Sequence, residues 1–316
     1  MDFDLPKQEP APPSNAPSPI ADLSYRTYEG ELKTRSLRWW VISMAVMRLL
    51  KKSVGFWINA GVIVLIYLIA GLQLYLTGNL GSRVNGALGI DEQTKYASTF
   101  FQVSGNTGLM VFIICLTVGA GSIAADNKAN ALMVYLSKPL TKGDYLLGKW
   151  AGIFMTLFLV NFCPAITLYL YCLTSYISQG FLKNEPMLIF KVFGACLVPA
   201  IIHASLLVGC SAWSKSPRAA YIFYAGLYFL STIASGIMFG VIYRGDMQSG
   251  GHLLNYSLGG VINGLCQSIY GVQTVFPGGK LPMPSLPLML TLAIIFVAVG
   301  VAAARAKINA VEVVKG

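Results

Sequence analysis

Uncharged apolar runs, each long enough to cross a bilayer, occur six times along the chain. They are Phe56–Thr77, Val103–Ala125, Trp150–Ile177, Val192–Trp213, Ala219–Tyr243 and Leu286–Ala304. The hydrocarbon core of a bilayer is about 30 Å thick, which an apolar helix of about 20 residues crosses. The runs show no alternation of polar and apolar positions, which argues against a β-barrel, and backbone groups in lipid must pair within their own segment. The pattern therefore predicts an all-α membrane protein with six transmembrane helices.

Composition supports a membrane protein and distinguishes its N-terminal region from the spans. Only 11% of the 316 residues are charged and 55% are hydrophobic, whereas a soluble domain carries about 25% charged residues. Residues 1–20 hold six of the 15 prolines, which is typical of disordered chain. We therefore divide the chain into a disordered, Pro-rich cytoplasmic tail (1–24), an amphipathic interfacial helix (25–55) and a six-span transmembrane domain (56–316).

Basic residues are distributed unevenly between the segments that join the runs. The N-terminal 55 residues, the loop 126–149, the turn 215–218 and the C-terminal tail hold eight, four, two and three of the 23 Lys and Arg residues, and the alternate segments hold six. Lys and Arg are retained on the cytoplasmic side. The pattern predicts a multi-pass protein of the cell inner (plasma) membrane with both termini in the cytoplasm. The net charge of +10 then indicates attraction to anionic membrane lipid and not to nucleic acid.

The segment Tyr25–Ser53, which precedes the first run, has the pattern of an amphipathic helix. Its apolar stripe holds Trp39, Ser43, Val46, Met47 and Leu50, and its basic stripe holds Arg35, Arg38, Arg48 and Lys52. Apolar and basic faces of this kind suit the membrane interface. Ile42 and Leu49 fall among the basic residues, so a plain basic anchor before a span is the alternative.

The loop between the second and third runs is longer than a turn between two spans needs. Asp126 can cap a following helix, because its carboxylate accepts bonds from backbone N–H groups. Leu132, Tyr135 and Leu136 then share one helical face, and Pro139 ends that helix. Such a loop is either a docking element for a partner on the cytoplasmic face or an ordinary loop with two capped helices.

The end of that loop predicts the start of the third span. Thr141 to Asp144 match a capping box before an apolar run. Gly143 to Trp150 read GDYLLGKW, which is similar to a phosphate-binding loop, but Trp150 stands where Ser or Thr would ligate magnesium and two leucines would fill the cradle. We therefore expect no nucleotide site here, and we expect Lys149 to extend to the membrane interface with its ammonium in water.

Taken together, these residues resemble the coupling segment of the type-2 ABC permeases, the membrane subunits of many ABC exporters. The matching residues, in chain order, are Asp126, LMVYLSKP from Leu132 to Pro139, Lys142, and LLGK from Leu146 to Lys149. The match departs from the family at Asn130-Ala131, where Gly-Thr is usual, and at Lys142, which is often Arg. The resemblance implies that the short helix is a coupling helix. It would contact an ATPase subunit through Asp126, Leu132, Tyr135, Leu136, Ser137, Lys138, Pro139 and Lys142.

The resemblance also implies an assembly and an energy source. Two permease subunits, most simply a homodimer, would enclose the pathway, and separate ABC ATPase subunits would bind ATP and Mg. This chain would bind no cofactor or metal and would not be an enzyme. Gly236 and Gly240 form G-x-x-x-G in the fifth run, which serves either dimerisation or packing within the chain.

The segment Met247–Gly279 holds no charged residue although it joins the last two runs. Irregular backbone is tolerated at membrane depth where protein buries it. The resemblance implies re-entrant helices there, on the outer side. The alternative is an outer loop folded onto the spans.

Polar groups inside the runs are the candidates for a transport pathway. An ionisable group within a span is a functional candidate by default, and it is equally explained as a side chain bonded between helices. The candidates are Asn59, Asn161, Tyr169, His203 and Tyr224. A secondary transporter or channel is the alternative function. A membrane-embedded enzyme is disfavoured, since the runs hold no carboxylate pair and the chain no metalloprotease or serine-hydrolase motif.

Overall fold

The computed structural model describes residues 38–80, 95–131, 140–276 and 279–309. Six helices in this part of the chain are long and apolar enough to cross a membrane, which confirms the six predicted runs. We number them span 1 to span 6, with the bounds Val54–Leu80, Lys95–Ile114, Lys142–Tyr176, Leu188–Trp213, Pro217–Tyr243 and Leu286–Asn309. Span 2 continues as a π-helical turn over Cys115–Gly119. The tail 1–24 and the start of the predicted amphipathic helix, residues 25–37, lie outside the described residues.

Shorter elements join the spans. We call Arg38–Lys51 the N-terminal helix and Ser122–Lys128 the linking helix. The others are Ile177–Gln179 (3₁₀), Phe181–Asn184, Met247–Gly250, Gly251–Tyr256 (3₁₀) and Leu258–Tyr270. Val275–Phe276 pairs with Gly279–Lys280 as a two-stranded antiparallel ribbon. Apart from this ribbon the described architecture is all-α, as predicted.

Capping residues fix where two of the spans begin. The Thr141 Oγ1 accepts from the Asp144 backbone N–H (3.0 Å), and the Asp144 carboxylate accepts from the Thr141 backbone N–H (3.3 Å). This is the predicted capping box, and span 3 starts directly after it. Span 5 starts in a similar way, since Ser216 Oγ accepts from the Ala219 N–H and Pro217 occupies the first helical position. Both devices satisfy N–H groups that a helix end leaves without a partner.

The N-terminal helix packs against the first turns of span 3. Its buried residues are Ile42, Ser43, Val46 and Leu50. A Cβ placed on Gly148 would lie 2.6 Å from the Ile42 Cβ, and one on Gly152 would lie 2.7 Å from the Val46 Cβ. Two glycines one turn apart therefore form the surface that receives this helix. Ile42, which lies among the basic residues on the helical wheel, is buried because it packs against Gly148 of span 3.

Span 4 lies at the centre of the bundle and packs against spans 3 and 6. In the most apolar stretch of span 4, 67% of the residues are buried, whereas in that of span 5 only 6% are buried. Spans 4 and 6 cross at two glycines, since a Cβ on Gly209 would lie 2.7 Å from the Gly300 carbonyl oxygen. Such contact between backbones needs a residue without a side chain.

The segment between spans 5 and 6 is mostly helical and packs against spans 2, 4, 5 and 6. Asn255, Val261, Leu265 and Gln267 are buried there. The helix Leu258–Tyr270 starts at Ser257, whose Oγ accepts from the Gly260 N–H, and ends at Gly271 in the left-handed conformation. That this segment enters the membrane stays a prediction.

Candidate functional site

The linking helix, which leads into the predicted coupling segment, is attached to the end of span 4. Ser211 Oγ accepts from the backbone N–H groups of both Ile123 and Ala124, each at 2.9 Å. The side chain of Asn127 donates to the Ala212 carbonyl at 3.1 Å. Span 4 thus supplies the hydrogen-bond partners that the first turn of a helix lacks. The linking helix cannot shift without breaking bonds to span 4.

A polar cluster attaches the same helix to span 3. The Asp126 carboxylate lies 2.7 Å from the Lys149 Nζ and accepts the Tyr145 hydroxyl at 2.7 Å. The Lys149 ammonium also donates to the Ser122 carbonyl at 3.0 Å. The two charged side chains are only 9% and 16% exposed for the lysine and the aspartate. We call Asp126, Tyr145 and Lys149 the loop-base cluster.

The loop-base cluster corrects two sequence predictions. Asp126 is the fifth residue of the linking helix, so its carboxylate reaches across to span 3 and is not an N-cap. The Lys149 ammonium does not lie in water as expected, since it is buried and paired with Asp126. The ion pair explains the positions of both side chains, because a carboxylate at hydrogen-bond distance replaces the hydration that a buried ammonium loses. The ion pair could have been predicted from the opposite charges at the two ends of one loop.

Most of the predicted coupling set falls outside the described residues. This applies to Leu132, Tyr135, Leu136, Ser137, Lys138 and Pro139. Asp126 belongs to the loop-base cluster, and Lys142 is the half-buried first residue of the span 3 helix. The described parts therefore flank the coupling segment on both sides, and its contact with an ATPase stays a prediction.

The structure brings together only some of the predicted pathway residues. His203 Nδ1 and the Tyr224 hydroxyl are 2.5 Å apart in the buried contact between spans 4 and 5. Asn161 accepts from the Tyr67 hydroxyl at 3.4 Å. Two others are separate from these pairs: Tyr169 packs against the ring of Phe181 and Asn59 donates to the carbonyl of Gly55 in its own helix.

One of these residues, His203, lines a cavity of about 530 Å³ beneath the segment between spans 5 and 6, which we call the His203 cavity. Spans 2, 4 and 5 and the segment form its walls, which are mostly apolar but include polar groups from Ser104, Tyr228, Thr232, Ser235, Asn255 and Asn263. Asn255 is 2% exposed, and its Nδ2 has no hydrogen-bond partner among the described residues. Sequence reasoning missed these groups, although asparagines in an uncharged, glycine-rich segment were a signal.

Two features of the described residues concern metal and nucleotide binding. Across 38–80, 95–131, 140–276 and 279–309 no group of His, Cys, Asp and Glu side chains is arranged to hold a metal ion. The segment Gly143 to Trp150, whose sequence is similar to a phosphate-binding loop, lies within the span 3 helix. Its backbone N–H groups therefore do not converge as they do in a phosphate-binding loop.

Comparison with known proteins agrees with this architecture. The family model described as ABC-2 family transporter protein matches residues 31–305. A comparison with curated proteins gave no match. The family match extends over spans 1 to 5, most of span 6, both helices at the loop-base cluster and the segment that covers the cavity. The chain therefore belongs to the ABC-2 transporter family and is a multi-pass membrane permease of the ABC type.

Proposed function

We propose that this chain is the permease subunit of an ATP-driven exporter, that two copies enclose the substrate pathway, and that each couples to a separate ATPase subunit holding ATP and Mg. The proposal places it in the cell inner (plasma) membrane with both termini in the cytoplasm. Family membership implies an ABC ATPase partner, and an ATPase must move the spans through some rigid connection. The observation that supports the proposal is the attachment of the linking helix to its neighbouring spans.

The connection we propose runs from the coupling segment through the linking helix. Ser211 attaches that helix to span 4, and Asp126 attaches it to Lys149 of span 3. The buried Asp126–Lys149 ion pair and the hydrogen bond from Tyr145 to Asp126 attach the linking helix to span 3, and we expect the two helices to move together. A displacement of residues 132–139 by the ATPase would then reach spans 3 and 4 directly. Differential contacts in the two states of the ATPase supply the energy of the switch.

The exposed surface of span 5 supports the proposed dimer. Of its most apolar stretch only 6% is buried, and Cβ atoms added at Gly226, Gly236 or Gly240 would meet nothing within 4 Å. Packing within the described chain therefore does not use the G-x-x-x-G motif. A second copy of the same helix would use it, because small residues allow two membrane helices to approach closely.

The His203 cavity is the part of the pathway that one subunit would supply. Gly236 lies both in its lining and in the G-x-x-x-G motif. In the proposed dimer the cavity would thus open towards the interface between the two copies. Its described lining carries no Asp, Glu, Lys or Arg.

Topology is tested by labelling single cysteines in intact cells. A cysteine at position 140 should be protected from an impermeant thiol reagent, and one at position 246 should react. Labelling of position 140 from outside would contradict both the topology and the coupling role. Co-expression with an ABC ATPase subunit separates this function from a secondary transporter or channel, because only a coupled permease changes ATP hydrolysis.

A further inference from the structure

A cleft of about 550 Å³ lies where the start of span 3 meets the end of span 6. Its lining includes Lys142, Gly143, Leu146, Trp150, Val301 and Arg305. Its volume is within the range of small-ligand sites in proteins. This cleft is separate from the His203 cavity and from the loop-base cluster.

The polarity of the cleft changes along the axis of the spans. Lys142 is the first residue of span 3 and Arg305 lies in the last turns of span 6, so both basic groups are at the same end of the bundle. Trp150 lies eight residues further into span 3, about 12 Å deeper at the rise of an α-helix. The cleft is therefore cationic at the membrane boundary and apolar towards the membrane centre.

The described residues that line the deeper part of the cleft offer no hydrogen-bond donor. The Trp150 indole N–H donates to Ser205 Oγ at 2.9 Å, so the ring presents carbon atoms to the cleft. Leucine, valine and isoleucine side chains complete the lining, and none of its described residues is Asp or Glu. A hydrophilic anion would be complementary to the basic end of the cleft only. A neutral apolar molecule would be complementary to its deep, apolar end only.

We propose that this cleft binds an anionic phospholipid, with its phosphate between Lys142 and Arg305 and an acyl chain along Trp150. Phosphate matches the two cations, the chain matches the apolar lining, and the surrounding bilayer supplies the molecule. Basic pockets between membrane helices recognise anionic headgroups in this way. The inference does not depend on the ATPase coupling or on the dimer.

The test is native mass spectrometry of the full chain in an uncharged detergent, with phosphatidylglycerol or phosphatidylcholine of the same acyl chains as probes. The wild-type chain should retain phosphatidylglycerol preferentially. Each basic residue near an anionic surface contributes a factor of about five in affinity. Arg305→Gln should therefore reduce phosphatidylglycerol binding about fivefold. Lys307→Gln is the matched control, because Lys307 is on the same helix but lies over the Trp213 ring, and it should change binding less than twofold.

A second pair of variants tests the cleft without changing charge. A Cβ on Gly143 would meet only Thr141 Oγ1 at 3.7 Å, so Gly143→Leu should fold and obstruct the cleft. Gly61→Leu is its control, because Gly61 has open space on span 1. Phosphatidylglycerol binding should fall with Gly143→Leu and persist with Gly61→Leu. Equal loss in Lys307→Gln and Arg305→Gln, unchanged binding in Gly143→Leu, or displacement of the lipid by MgATP would each overturn the proposal.

Discussion

The loop-base cluster gives the most quantitative prediction. Lys149→Met keeps the length and apolar stem of the side chain but leaves the Asp126 carboxylate without its cation. Both groups are at most 16% exposed, and removing one partner of a buried pair costs about 3–5 kcal/mol. The Tyr145 hydroxyl still donates to Asp126 and partial exposure lets water in. We therefore expect a loss near the lower end, about 3 kcal/mol in the free energy of unfolding.

A double-mutant cycle measures the pair itself. The variants Asp126→Asn, Lys149→Met and the double substitution are compared by reversible unfolding of the purified chain in mixed micelles. Interacting neighbours show coupling energies of about 0.5–3 kcal/mol, and the geometry predicts about 2 kcal/mol. The double variant should thus be less destabilised than the sum of the single ones. Additive losses would refute the reasoning, because two groups 2.7 Å apart in a buried site cannot act independently.

Three further predictions concern helix contacts. Leu136→Glu should weaken binding of an ATPase subunit about thirtyfold, since hot-spot changes cost about 2 kcal/mol, and pull-down measures it while circular dichroism checks that the helices persist. Gly148→Leu should detach the N-terminal helix from span 3, because the new side chain would collide with Ile42. Faster proteolysis after Arg48 would show the detachment, and unchanged proteolysis would contradict the packing. Gly236→Leu together with Gly240→Leu should leave the monomer folded but reduce cross-linking between copies, and unchanged cross-linking would contradict the span 5 interface.

The six spans and the start of span 3 were predictable because their causes are local. Twenty uncharged residues require a helix in lipid wherever they occur. Thr141 and Asp144 form a capping box from residues three apart, so the start of span 3 needs no information from elsewhere in the chain.

The positions of Ile42 and Lys149 were not predictable in the same way. Each depends on a residue far away in sequence: Ile42 packs on Gly148, and Lys149 pairs with Asp126. A helical wheel assigns faces by the neighbours on one helix, and snorkelling assumes that water is the best available partner for an ammonium. Tertiary contacts changed both. The sequence contained the small-residue spacing of Gly148 and Gly152, which is the same pattern that drew attention to span 5.

The candidate site was predicted least completely. His203 was found because an imidazole inside an apolar run is conspicuous. Asn255 was missed because it lies outside the runs, and its position at the cavity depends on how the segment between spans 5 and 6 folds back onto spans 2 and 5.

The central claim, that this permease takes its energy from a separate ATPase subunit, is tested most directly by ATP hydrolysis in proteoliposomes. A co-expressed ABC ATPase should hydrolyse ATP at a different rate with the wild-type chain than alone, and Leu136→Glu should abolish the difference. The chain without ATPase should take no label from photoreactive ATP. Labelling of Gly143 to Trp150 in the isolated chain, or an ATPase rate that the chain never alters, would contradict the account.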